Sequence, residues 1–191
     1  MANFGAKYPV FAPFKGAEPT DTLPKYDTKT VLGKLVSANL TVNLSSGEQY
    51  ADDEMCEQIS EFASGTLAME TNDMTDEVAA IVYGATLDSE SHELTYKGAD
   101  AIPMGGLAYY KVLQRNGTRM YKGYYYPKVK AALGNDSAQT KGNSITFGNT
   151  STTFTIFEPN VGGWRITKEF TTESEAKTWI DTKLAATTTG G

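Results

Sequence analysis

Along Lys34–Leu44, KLVSANLTVNL, the residues Val36, Ala38, Leu40, Val42 and Leu44 alternate with Ser37, Asn39, Thr41 and Asn43. A period of two sends successive side chains to opposite faces, so the stretch predicts a strand that buries those five apolar residues on one side. Ile59–Met69, ISEFASGTLAM, repeats the alternation less cleanly, with Ile59, Ala63, Leu67 and Met69 in phase and Gly65 as a candidate bulge. Asn116-Gly117 separates two Tyr-rich runs, LAYYKVLQR and TRMYKGYYY. A type I′ turn requires positive φ at both central residues, and this dipeptide tolerates it, so a hairpin is predicted there. Further strands are expected over Val129–Leu133, Ser144–Phe147, Thr152–Glu158 and Trp164–Phe170, broken by GNDSAQTKGN, GNTS and PNVGG.

Two short helices interrupt this pattern. MTDEVAAIVYG offers Thr75 as N-cap, Asp76 and Glu77 in the first turn and Gly84 as the stop. TTESEAKTWIDTKLAA opens with a capping-box spacing, Thr172 to Glu175. Its apolar stripe of Ala176, Trp179, Ile180 and Lys183–Leu184 is narrow, which places the helix outside the sheet structure or against a neighbour. The stretch 1–33 is dense in proline (Pro9, Pro13, Pro19, Pro24), which argues against a central strand and for an arm or long loop. Phe4, Tyr8, Phe11 and Phe14 make that arm too apolar to float free, so it docks on its own sheet or on another copy. The reading is therefore mainly β, a sandwich or barrel-like domain over 34–185 with a flanking helix and a C-terminal helix. Residues 186–191 form a flexible tail.

Composition changes this picture little: 191 residues, 40% apolar and 21% charged, fit one globular domain with a real core. No apolar run approaches the roughly 20 residues a membrane helix needs. The start lacks the basic flank and apolar core of a signal peptide, and Cys56 stands alone, so synthesis and assembly in a reducing cytoplasm are expected.

Charge matters more. Residues 48–93 carry thirteen carboxylates and no Lys or Arg, whereas 97–130 carry seven basic groups against Asp100 alone. Either the two segments neutralise each other within one fold, or the particle bears opposite charge on opposite surfaces and suits head-to-tail contacts between copies. The excess of carboxylates disfavours generic nucleic-acid binding.

Candidate chemistry is sparse. His92 lies in a polar loop, and Cys56 has no neighbouring His or basic helix end to activate it. One His and one Cys make no structural zinc set, and no phosphate loop or nucleophile elbow appears. The acids of YADDEMCEQISEFASG, Asp52, Asp53, Glu54, Glu57 and Glu61, could form a glycosidase pair or a calcium loop. They lack nearby aromatic platforms, alternate spacing and a turn Gly, so a solvated loop or docking surface is expected instead. Tyr109, Tyr110, Tyr121, Tyr124, Tyr125 and Tyr126 suit either a sugar-stacking platform or packing and interfaces. Three in succession put Tyr on both faces of one strand, which favours packing.

The order of these features carries a resemblance. An early strand leads into YADDEMCEQISEFASGTLAMETNDMTDEVAAIVYG and then GGLAYYKVLQRNGTRMYKGYYYPKVKAALGNDSAQTKGNSITFGNTSTTFTIF. Over roughly Lys34–Phe157 this resembles the major tail tube proteins of long-tailed bacteriophages of Gram-positive hosts. In that family an acidic loop likewise passes through a Gly-containing strand to a short helix, then to a Lys- and Tyr-rich hairpin. The Pro-rich beginning and the helix around Trp179 depart from the family pattern. The resemblance implies a β-sandwich whose copies form hexameric rings that stack into a hollow tube through which the genome passes. Similar tubes occur in contractile tails and type VI secretion.

It also implies a virion protein assembled in the host cytoplasm, without enzyme activity, metal or cofactor. Its partners would be itself, tape measure, tail terminator and tail-tip proteins, with DNA passing unbound through the lumen. On this reading the loop Ser45–Glu57 projects toward the next ring. The candidate inter-subunit residues are Asp52, Asp53, Glu54, Glu57, Lys111, Arg115, Arg119, Lys122, Phe11, Phe14, Tyr124 and Tyr126. A carbohydrate-binding module of a tail tip, using Tyr124 and Tyr126, is the competing expectation. A hydrolase centred on Asp53 is the third.

Overall fold

The computed structural model describes residues 2–51, 54–133 and 148–186, with the backbone alone for 2–4, 48–51 and 54–58. Its elements run β1 (Ala2–Pro13), β2 (Thr30–Val31), β3 (Leu35–Ala51), β4 (Glu54–Thr71), α1 (Asp76–Tyr83), β5 (Thr86–Leu87), β6 (Leu94–Thr95), β7 (Met104–Arg115), β8 (Thr118–Ala132), β9 (Thr150–Ile156), β10 (Ile166–Phe170) and α2 (Glu173–Lys183). The fold is mainly β with two helices and a sandwich-like core. The main sheet follows the order β2-β1-β7-β8-β9-β4-β3, and β10 pairs β8 outside that path.

Strand β8 makes the sandwich. It pairs β7 along most of its length, yet its other edge is shared: Tyr121–Tyr125 face β10, and Val129–Ala132 face β9. Between these two zones the β7 register shifts, because Pro127 and Lys128 both fit opposite Gly106. An extra residue on one strand bends it and increases its twist, so β8 leaves one layer and enters the other.

Two cores follow. Phe11, Leu67, Met69, Leu107, Tyr109, Tyr126, Val129, Phe154 and Ile156 fill the space between the layers, closed by Ala79, Val82 and Tyr83 of α1. On the opposite face of β1, β7 and β8, the residues Val10, Ala12, Ala108, Tyr110 and Tyr125 pack under Ala176, Ile180 and Leu184. Those three strands are therefore buried on both sides. LAYYKV consequently shows no apolar–polar alternation: Leu107 and Tyr109 enter one core, Ala108 and Tyr110 the other. Gly123 lets α2 approach, because a Cβ there would lie 2.7 Å from the Trp179 ring.

Both helix readings hold. Thr75 and Gly84 bound α1, with Gly84 in the left-handed region. The Thr172–Glu175 capping box forms on α2 in both directions, and the α2 stripe lies against the chain's own sheet. Asn116 and Gly117 take φ of 50° and 79° at the hairpin turn. His92 is exposed in a turn. The expected strand Ser144–Phe147 lies outside the described residues.

Three expectations change. First, prolines do not keep β1 out of the sheet, where it lies between β2 and β7. Pro9 falls in the register shift between Lys7 and Val10, next to Tyr8 at φ 58°, and Pro13 is the last strand residue. At a bulge or a strand end the missing N–H costs no ladder bond. The loop that follows docks on its own chain. Phe14 N donates to Met104 O (2.8 Å), Glu18 pairs with Lys128 (2.6 Å), and Tyr26 is buried. Tyr26 donates to Pro127 O at 2.7 Å and meets the Tyr125 hydroxyl at 2.5 Å.

Second, the described part of the acidic stretch is strand: β3 runs to Ala51 and β4 starts at Glu54, paired through Ala51–Glu54 with a register shift between Gln49 and Tyr50. Third, the alternation at Val36–Leu44 outlasts the core. Ala38 and Leu40 pack inward, but Val36 is 50%, Val42 37% and Leu44 60% exposed, and Ile59 is 54% exposed. For Val42 and Leu44 the cause is the partner strand: β9 ends at Ile156, opposite Gly65. The β3 register shifts near Val36, and β4 carries an extra residue at Ala63 and again at Cys56 rather than at Gly65, so Ile59 faces away from Leu67.

Candidate functional site

Two hairpins define the region of interest. Beyond the row Val129–Ile156–Gly65–Val42, strands β3 and β4 continue as a two-stranded ribbon, with no third strand among the described residues. Strand β3 is the sheet edge, so one side of its backbone has no ladder partner among the described residues. Glu48, Glu54, Glu57 and Glu61 lie along the ribbon, and no Lys or Arg occurs between Lys34 and Lys97. Asp52 and Asp53 lie outside the described residues; Glu54 and Glu57 are placed by backbone register, opposite Ala51 and Gln49.

The β7–β8 hairpin runs alongside. Strand β4 is antiparallel to β9, and β9 to β8, so the β3–β4 and β7–β8 turns extend from that row toward the same end of the sheet. The acidic and basic hairpins are thus not at opposite poles. The acids toward the other end begin with Glu70, near the end of β4, and continue with Asp73, Asp76 and Glu77 on and before α1.

Lys111 and Lys122 stand directly opposite each other on β7 and β8. Like charges in that position are destabilising, and the structure answers in two ways. Lys122 Nζ turns to Glu169 of β10 at 3.6 Å, which also takes Arg115 at 3.4 Å. Lys111 instead lies over aromatic faces, its Nζ 5.3 Å from the Tyr124 centroid and 6.0 Å from that of Tyr109. Cation–π contacts of this kind contribute about 0.5–1 kcal/mol at exposed sites. Tyr124 and Tyr109 stack at 5.3 Å with 13° between planes. Arg165 rests on Trp164 at 4.7 Å, and Trp164 stacks on Phe62 of β4 at 4.2 Å and 3°. Of these four cations, Lys111 and Arg165 join no ion pair among the described residues.

Burial pushes the Tyr109, Tyr124 and Tyr126 hydroxyls upward, and the Arg165 charge pulls against this at all three. They are neutral phenols at neutral pH, able to donate hydrogen bonds. On the other face, the Tyr110 hydroxyl donates to Glu173, which holds that carboxyl below the usual range.

The predicted contact residues therefore divide. Lys111, Arg115, Lys122 and Tyr124 come together on one face; Arg119 is exposed nearby, opposite Gln114. Phe11 and Tyr126 do not belong: both are buried in the chain's own core, so neither reaches a neighbour. Phe14 is half-buried and packs on Tyr26 at 5.8 Å. Phe62, Trp164 and Arg165 were missed. The only local signal was an aromatic–basic pair, Trp164-Arg165, after the PNVGG turn. No protein-family model matches the chain, and no curated protein is similar to it in sequence.

Proposed function

We propose that the chain is a structural subunit that assembles with its own copies into stacked hexameric rings, forming a hollow phage tail tube for genome passage. The observation that carries this reading is the acidic ribbon of β3 and β4. It projects past the sandwich with Val42, Leu44 and Ile59 exposed and, among the described residues, no strand paired to the outer edge of β3. A long unpaired edge with apolar side chains is a site for joining another chain. At about 25 cal/mol per Å2, several hundred Å2 of apolar surface per contact contributes several kcal/mol before association costs. Exposed ion pairs add only about 0–1 kcal/mol each, and so set register and partner choice. Tape measure, terminator and tail-tip proteins are the further partners on this reading. Carboxylates toward a lumen would repel DNA phosphates.

The tyrosine-platform alternative loses its rings, since Tyr109, Tyr110, Tyr125 and Tyr126 are all buried and only the partly exposed Tyr121 and Tyr124 remain. Electron microscopy of the concentrated protein, alone and with a preformed tail-tip complex as initiator, tests the proposal. Rings or tubes of uniform diameter are expected, and a strict monomer under both conditions overturns it.

A further inference from the structure

We infer that the face built by Lys111, Lys122, Arg165, Tyr124 and Trp164 is the receptor for the acidic β3–β4 ribbon of a second copy of this chain. The inference rests on the assembly reading above and names the two surfaces that meet.

Arg115 and Lys122 share the carboxylate of Glu169, while Lys111 and Arg165 lie over the Tyr124 and Trp164 rings and join no ion pair among the described residues. Two of the cations, Lys111 and Lys122, hold a cross-strand position that disfavours like charge. An anion bridging them would turn that repulsion into attraction. The chain's own ribbon does not supply it. Phe62 is fixed against Trp164, and Glu54 lies eight residues further along an extended strand, about 25 Å away at roughly 3.3 Å per residue. Glu61, next to Phe62, falls on the opposite face of the strand.

The ribbon has the reciprocal need: by register Glu54, Glu57 and Glu61 share one face with exposed Ile59, and neither strand carries a basic residue. An aromatic wall flanked by cations meets both requirements, since Trp164 and Tyr124 accept apolar contact while Lys111 and Arg165 accept carboxylates. Each copy carries one ribbon and one receptor at the same end of its sheet. Because the two surfaces differ, the contact is heterologous and propagates from copy to copy.

The test uses full-length chains. Lys111→Glu with Arg165→Glu is expected to lower the assembled fraction, read by sedimentation at 0.1 M salt, about tenfold or more. Glu54→Lys with Glu57→Lys should do the same. Mixing the two variants restores a productive contact and yields mixed assemblies. Lys111→Gln is the milder control, expected to give a partial loss, and thermal melts establish that each variant folds.

Wild-type assembly by the Lys111→Glu, Arg165→Glu chain overturns the receptor and leaves the tube reading standing. Failure of the mixture to assemble, together with loss of heparin retention by the same variant, overturns it in favour of an external polyanion. If wild type never assembles, the tube reading fails. Association of the two oppositely charged variants into dimers would then still support the receptor, and its absence would overturn that too.

Discussion

Strand pairs β3–β4 and β7–β8 are both long antiparallel hairpins extending toward the same end, yet one is the centre of the molecule and the other its outlier. Strands β7 and β8 carry a core on each face, and further strands lie on both sides of the pair. The outer half of β3–β4 has no further strand beside it among the described residues, and Val42 and Leu44 remain exposed. Within the ribbon the alternation of KLVSANLTVNL continues unchanged as the environment changes from core to solvent. Apolar periodicity thus reports a strand and its facing side. Whether that side is covered depends on how far a partner strand, here β9, reaches.

The comparison can be broken most forcefully at Tyr109. Tyr109→Ala should destabilise by about 3–5 kcal/mol, because it empties a well-packed core position; urea unfolding reads the change, and a loss below 1 kcal/mol would mean that β7 is not central. Alkaline pH acts on the same hairpin. Burial pushes Tyr125 from 10.0 up to about 12. A folded pKa raised above the unfolded value gives stability that is complete below pH 10 and disappears as pH rises through about 12. That amounts to roughly 2–3 kcal/mol. The last part of the tyrosinate absorbance rising together with loss of circular dichroism is the expected signature; ionisation of all eleven tyrosines near pH 10 without unfolding would contradict burial.

Trp164→Ala should cost about 1–2 kcal/mol and should release the ribbon first, seen as faster proteolysis within 45–60 at unchanged melting of the main sheet. Simultaneous cleavage everywhere would show that ribbon and body unfold as one. The smallest effect belongs to Leu44→Thr, within about 0.5 kcal/mol as for most exposed positions. On the assembly reading it should nevertheless reduce tube yield, measured by pelleting.

Much of this was legible in the residues where the information is local. The Thr172–Glu175 box, the Thr75 and Gly84 boundaries and the Asn116-Gly117 turn depend on atoms a few positions apart. The place of β1 was hidden because proline density says nothing of whether each ring falls at a bulge or inside a ladder. Of the candidate site, the basic residues on β7 and β8 were visible, while Trp164 and Arg165 were not. Trp164 meets Phe62 from about a hundred residues away, and no periodicity encodes such a contact. Phe11 was expected at a contact because its segment reads as an arm, and Tyr126 because a run of tyrosines does not reveal that both faces of its strand are covered.

The capped helix α2 has a consequence for the timing of synthesis. The inter-layer core draws its described residues from Phe11 to Ile156, so it can close while the ribosome is still working. Ala108, Tyr110 and Tyr125 wait for Ala176, Ile180 and Leu184. Until those residues emerge, the nascent chain presents a bare aromatic sheet, a sticky surface of the kind chaperones hold. A chain stopped before residue 173 would therefore be aggregation-prone despite a finished interior, because the helix is the cover of that aromatic face.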